Sequence, residues 1–247
     1  MREGQLKQAQ TILLKTKGFA YLRYLHLREF IAVRSSEIET VGICGAGKGI
    51  AELAVALEFP QIRFLLTDIV AEGRPPRPNY FTCMEYVMKW NVLNVRFGVW
   101  DLLKPQSVKF DVVASTEVLE HIKDATLALR NKTAAAKKYV YTLIPYATAD
   151  QNADAQRRLN AFSDHGHYVC GFDASFFRAV GKPLTIAGAY WRSYGVPFRA
   201  KIADLSGPEV DSSFDELVSE ARGDLTPGEP SPGACMAIKA VIDKTAG

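Results

Sequence analysis

Cysteine is scarce and dispersed: Cys44, Cys83, Cys170 and Cys235 stand far apart among 247 residues and form no C-x-x-C pair. That spacing supports neither a disulfide framework nor a cysteine zinc site, and a reducing cytoplasm is the expected setting. Long apolar runs are also missing. Without about 18 continuous apolar residues, neither a membrane span nor a secretory signal is expected. Charge of one sign is nearly absent as an excess, since 30 Lys and Arg face 27 Asp and Glu for a formal net charge of +3. Such a balance speaks against a nucleic-acid partner, whose phosphates call for a basic face. Internal repeats and long low-complexity tracts are absent too, which excludes solenoids and arrays. The length suits one substantial α/β core with terminal additions.

Order along the chain is read from apolar spacing. Leu6, Ala9, Ile12 and Leu13, then Phe19, Leu22, Tyr24, Leu25, Leu27, Phe30 and Ile31 recur at three- and four-residue intervals with Lys and Arg between them. Two amphipathic helices broken near Gly18 are expected over 1–38, either as a lid or as a dimer interface. Short apolar runs then alternate with helical stretches: strands at 40–44, 62–68, 95–101, 110–116 and 138–145, and helices at 48–58, 82–91 and 117–136. Alternation of this kind means a parallel sheet with helices on both faces. Beyond Pro145 come a polar stretch at 149–160 and a short helix begun by Asp173 and stopped near Gly181. Two last strands at 183–191 and 234–242 should pair as a hairpin around the Gly- and Pro-rich stretch 204–233, in which 214–221 could form one helix.

The most informative segment is Val41-Gly42-Ile43-Cys44-Gly45-Ala46-Gly47-Lys48-Gly49, an apolar strand running into a glycine loop and then a helix. Glycines there permit φ > 0 and let a ligand approach the backbone, while amides at the helix start face it. A dinucleotide loop, G-x-G-x-x-G, would place its last glycine at position 50, which is Ile50. The third glycine arrives one residue early. G-x-G-x-G ahead of Asp68, the acid that ends the next strand, resembles motif I of the class I S-adenosylmethionine-dependent methyltransferases. A second signature strengthens the resemblance: Phe110-Asp111-Val112-Val113-Ala114-Ser115-Thr116 followed by Glu117-Val118-Leu119-Glu120-His121-Ile122 looks like the fourth strand and following helix of small-molecule members.

The resemblance covers 38–145 well and 160–242 loosely. It implies a Rossmann-like, doubly wound, mostly parallel seven-stranded sheet, its last strand antiparallel, with helices on both faces. An N-terminal helical cap would span 1–38 and the methyltransferase domain 39–247, with 204–233 as an irregular insertion. It also implies S-adenosyl-L-methionine as cofactor and a small-molecule acceptor. Gly45, Ala46, Gly47 and Gly49 would lie at the methionine end, Asp68 would hold the ribose, Asp101 and the amide of Leu102 the adenine, and Ser115 would stand beside the methionine part. One position departs from the family: the acid expected two residues before the first glycine is Ile43.

On the acceptor side, Glu117 and His121 would border the pocket. His165 and His167, after the polar stretch, are the candidate bases, needed where the accepting group carries a proton. Tyr146, directly after the fifth strand, and the aromatic piece 190–199 are further lining candidates. Glu117, Glu120 and His121 with His165 or His167 also resemble the magnesium site of small-RNA terminal 2′-O-methyltransferases. Because E-V-L-E-H occurs widely in metal-free relatives, no metal is expected. Three other readings compete: a nicotinamide oxidoreductase of the same architecture, which the glycine spacing and the E-V-L-E-H helix oppose, a methyltransferase-fold protein that binds or scaffolds without catalysis, and the magnesium-dependent RNA enzyme.

Overall fold

The computed structural model describes residues 2–16, 18–69, 78–158, 167–180, 184–191, 226–228 and 235–246. These fall into two compact units, one ending at Val99 and one starting at Trp100. Among the described residues, no helix is long and apolar enough to cross a membrane.

The first unit holds α1 (Arg2–Thr16), α2 (Gly18–Ala32), β1 (Thr40–Cys44), α3 (Ile50–Glu58), β2 (Arg63–Asp68), α4 (Pro78–Lys89) and β3 (Val95–Val99). β2 lies between β1 and β3, parallel to both, with Ile43 opposite Leu66 and Asp68 opposite Val99. α4 starts four residues before the expected position, and Pro78 explains why: proline is at home in a first helical turn, where its missing N–H costs nothing. Asn94 closes the end of α3, its side-chain amide donating to the carbonyls of Ala56 and Ile62 at 2.9 Å each. Ala56 lies in the last turn of α3, where a carbonyl has no partner within the helix, and Ile62 lies just before β2, so one side chain ties the helix end to the start of the strand.

The two N-terminal helices form as expected, but α2 is not a one-sided amphipathic helix. Tyr21, Leu22, Tyr24, Leu25, His26, Leu27, Phe30 and Ile31 are all buried, which leaves no broad basic face. α1 and α2 pack on each other and on α3. A polar chain ties them together: Gln10 donates to the Tyr24 hydroxyl at 3.1 Å, that hydroxyl donates to Glu58, and Arg28 donates to the other Glu58 oxygen at 2.7 Å. Burial, and then the Glu58 charge, push the Tyr24 phenol well above its ordinary value, so it stays a neutral donor. Burial alone would lower the Arg28 guanidinium, and Glu58 beside it more than offsets that.

The second unit holds β4 (Phe110–Thr116), a 3-10 turn (Leu119–His121), α5 (Ala125–Ala135), β5 (Ala136–Pro145), α6 (Ala149–Arg158), α7 (Ala174–Arg178), β6 (Leu184–Trp191), β7 (Thr226–Pro227) and β8 (Cys235–Asp243). β4 and β5 are parallel, β8 runs antiparallel between β5 and β6, and β7 adds to the outer side of β6. The expected hairpin of the last two long strands is present. Among the described residues, antiparallel pairs occur in this unit beside its parallel β4–β5 pair, and β7 is a two-residue addition to the seven strands expected.

The helix expected over 117–136 is broken. Glu117 has φ 51°, a left-handed conformation that ends regular helix for a residue with a side chain. A 3-10 turn follows, and a new helix starts only where the Asp124 carboxylate accepts from the Leu127 amide at 2.9 Å. The polar stretch 149–160 contains α6. It starts with a reciprocal capping pair, in which Thr148 N–H donates to the Gln151 side chain at 2.9 Å and Gln151 N–H to the Thr148 hydroxyl at 3.3 Å. The expected helix at 214–221 and the aromatic residues 192–199 lie outside the described residues.

Candidate functional site

Gly45, Gly47 and Gly49 have φ of 65°, 54° and 62°, the left-handed region that glycine enters without a steric penalty. The loop is knitted internally. Ala46 N–H donates to the Thr67 carbonyl at 2.9 Å, Gly47 N–H to the Asp68 carboxylate at 2.8 Å and Gly49 N–H to the Ala46 carbonyl at 2.8 Å. Three of the amides expected to face a ligand therefore already have partners inside the protein. What the loop offers instead is shape. A Cβ at Gly47 would meet open space, whereas one at Gly49 would fall 2.9 Å from Cys83 Sγ and 3.1 Å from a Leu66 methyl. Gly49 caps α3 in close contact with the core, and Gly47 leaves room above the loop. Burial, and then the nearby Glu52, raise the Cys83 thiol far above its ordinary value, so it acts as an apolar filler here.

Asp68 ends β2 with its carboxylate fixed on both sides, accepting from Gly47 N–H at one oxygen and from Ile69 N–H at the other, each at 2.8 Å. A carboxylate has about four lone-pair positions, so this fixed group retains acceptor capacity. Beside it the surface is apolar: Ile69 is 48% exposed and Val99, opposite Asp68 in register, is 61% exposed. Neither residue stood out in the sequence, because a strand-end aliphatic is ordinary until its exposure is known. Ile43 is buried in the β1 core, so the position where the family carries an acid is apolar here.

In the second unit, Asp101 accepts from Leu103 N–H at 3.0 Å, and Lys104 stands 3.9 Å from it. Leu102 is buried, its carbonyl held by the Asn131 side chain at 2.8 Å. Ser115 is buried too, and its hydroxyl accepts from Lys132 Nζ at 2.5 Å. Lys132, fully buried on α5, also donates to the Thr142 hydroxyl at 2.7 Å and so ties β4 to β5. The Ser115 side chain is thus part of the helix-sheet layer, and the lysine holding it lies in a helix with no motif to mark it.

Glu117 N–H donates to the Leu143 carbonyl at 2.8 Å, which locks the turn after β4 onto β5. The turn places Glu120 inward, fully buried, and His121 outward. His167 joins them from 46 residues further along: its ring meets that of His121 edge-on at 87°, with 4.3 Å between centroids. One ligand atom each from Glu120, His121 and His167 lies within 4.8 Å of the other two. Glu117 is not in this trio, and His165 lies outside the described residues. Tyr146 pairs with Phe172 through a short parallel bridge.

No protein-family model and no curated protein sequence matches the chain. Solved structures do. A YcgJ protein from Bacillus subtilis is 15% identical over 87% of this chain and 97% of its own, with a TM-score of 0.54. Coclaurine N-methyltransferase, solved with N-methylheliamine and S-adenosylhomocysteine, is 16% identical over 89% of this chain and 72% of its own, with a TM-score of 0.57. The chain has the class I S-adenosylmethionine-dependent methyltransferase fold. Phosphoethanolamine N-methyltransferase 2 from Haemonchus contortus, in complex with S-adenosyl-L-methionine, shares that methyltransferase fold at 16% identity and a TM-score of 0.52; the match spans 88% of this chain and 52% of that one. At these identities the likeness extends to the fold alone.

Proposed function

We propose that the protein is a methyltransferase that transfers a methyl group from S-adenosylmethionine to a small-molecule acceptor by in-line displacement. The observation that carries this reading is the loop of three left-handed glycines stapled to Asp68. Two structures of the same fold hold S-adenosylhomocysteine or S-adenosyl-L-methionine, which supports the choice of cofactor. In this reading Gly45, Ala46, Gly47 and Gly49 pass the methionine end and Asp68 takes the ribose hydroxyls. The exposed side chains of Ile69 and Val99 offer an apolar surface to the adenosine. Asp101 and Leu102 serve the adenine, Ser115 supports β4 beneath the methionine, and Glu117, His121 and His165 serve the acceptor. Residues 1–38 act as a cap on the 39–247 domain. Free cysteines at Cys44, Cys83 and Cys170 suit a reducing, cytoplasmic setting.

In the reaction an acceptor lone pair attacks the methyl carbon, the S–CH₃ bond breaks, and its electron pair neutralises the sulfonium. S-adenosylhomocysteine leaves, and any acceptor proton goes to a base such as His165. Positioning and water exclusion supply most of the rate, because the leaving group needs no acid. A binding protein of the same fold is the second reading, favoured by Ile43 standing where the family places an acid.

Thermal melts with S-adenosylhomocysteine, S-adenosylmethionine and NAD in parallel separate these readings. A ligand at about 100 times its dissociation constant adds about 2.7 kcal/mol to the folded state. Stabilisation by the first two alone is expected. Stabilisation by NAD would remove the methyltransferase reading, and no shift with any ligand would favour the binding protein.

A further inference from the structure

Lys132 is a charged side chain that the proposed reaction leaves unused, and the fold buries it completely. From α5 its Nζ donates to Ser115 Oγ at 2.5 Å, to Thr142 Oγ1 at 2.7 Å and to the Tyr141 carbonyl at 3.4 Å. Three oxygens around one nitrogen match the three donors of an ammonium, which has no acceptor of its own. Ser115 and Thr142 are direct partners in the parallel register of β4 and β5, so the lysine clasps one rung of the sheet.

A brace alone does not call for a charge. Apolar residues of similar volume hold a buried helix-sheet contact as well or better, and taking an ammonium out of water is costly even when its donors are satisfied. A charge kept at that cost does something that a neutral brace does not. Its field reaches other charges at the end of β4, where only Thr116 follows Ser115, and buried surroundings screen that field little.

The field has a target in the proposed reaction. Ser115 supports the strand beneath the methionine part of the cofactor in that reading, and this part is a sulfonium cation before methyl transfer and a neutral thioether after it. We propose that Lys132 is a specificity-determining residue that sets the site against the cation and in favour of the thioether. Repulsion from the ammonium raises the charged ground state and is relieved as the electron pair of the S–CH₃ bond returns to sulfur, so it also lowers the barrier to transfer. The inference rests on the cofactor reading, and its test separates the two.

The test is calorimetry of the full chain with S-adenosylhomocysteine and with S-adenosylmethionine at one ionic strength. At an effective dielectric constant of roughly 20, two unit charges roughly 10 Å apart alter an equilibrium about tenfold. The native chain is therefore expected to bind S-adenosylhomocysteine about tenfold more tightly, or better, and Lys132→Met should erase most of that ratio. Lys132→Gln keeps an amide donor for the hydroxyls without the charge and should act alike; it carries the test where the methionine variant lacks a native circular dichroism spectrum. Altered packing shifts both affinities together, so a change in their ratio reports the charge. Equal affinities in the native chain overturn the proposal, as does an unchanged ratio in the uncharged variants. Binding of neither ligand by the native chain removes the cofactor reading itself, and this inference with it.

Discussion

The loop 45–49 and the turn 117–121 both begin where a strand ends, and both carry residues at positive φ, yet they are held in opposite ways. The loop is tied by its immediate neighbours, through Ala46 to Thr67 and Gly47 to Asp68, and its left-handed positions are all glycine. The turn is tied by remote chain, with Glu117 bonded to Leu143 and Glu120 to Tyr168, and its left-handed residue is a glutamate. One device is encoded in local spacing. The other exists only once β5 and the 167–172 segment have arrived, so its strain and its side-chain cluster are consequences of topology.

The same substitution in the two regions should break this comparison open most widely. A Cβ at Gly171 would fall 2.3 Å from the Pro145 carbonyl oxygen and 3.0 Å from the Ala147 amide nitrogen, both backbone atoms that cannot swing away. Gly171→Ala should cost about 3 kcal/mol of stability and pull the His167 segment off β5. At Gly47 a Cβ meets open space, so Gly47→Ala pays only for its left-handed φ, about 1 kcal/mol. Urea unfolding of both variants checks the ordering. Equal losses would show that the remote segment is no more tightly held than the loop.

A second effect, nearly as large, concerns binding. Asp68→Ala removes the carboxylate that Gly47 and Ile69 hold in place and that would meet the ribose. Affinity for S-adenosylhomocysteine should fall about a hundredfold, equivalent to about 2.7 kcal/mol, while the circular dichroism spectrum stays native. Calorimetry at matched ionic strength measures it. Unchanged affinity would take Asp68 out of the site and leave the loop as a structural turn.

What the sequence disclosed follows the same division. Strands β1 to β5, the loop and Asp68 were legible because each depends on alternation, glycine spacing or an acid at a strand end, all local properties. The E-V-L-E-H string was legible as a signature but not as a shape. Its apolar spacing reads as one helix from 117, and only the Leu143 carbonyl waiting on β5 and the Asp124 cap reveal that the chain turns first. The burial of Lys132 was not legible, because nothing in its own helix shows that Ser115 and Thr142 face it. The burial of α2 on more than one side was likewise hidden, since its apolar spacing reads as a stripe until α1 and α3 are packed against it. The start of α6, by contrast, is written locally, because Thr148 and Gln151 spell a capping box within the sequence itself.

The smallest effect isolates the strain in the turn. Substituting Glu117 by alanine and by glycine removes the same carboxylate, so any difference between the two variants reports the backbone and not the lost side chain. In ordinary helix or strand, glycine is the less stable of such a pair by roughly 0.5–1 kcal/mol, because it loses more conformational freedom on folding. At φ 51° the order should invert: alanine keeps the clash between Cβ and the following carbonyl, and glycine does not. Glu117→Gly is therefore expected to be more stable than Glu117→Ala by about 1 kcal/mol, a difference of about 2–4 °C in Tm for a chain of this size. Should alanine prove the more stable, the turn would relax out of the left-handed region at no cost, and the bond from residue 117 to Leu143 would not be what holds it. Should the order invert as expected, both variants lack the carboxylate yet only one lacks the strain.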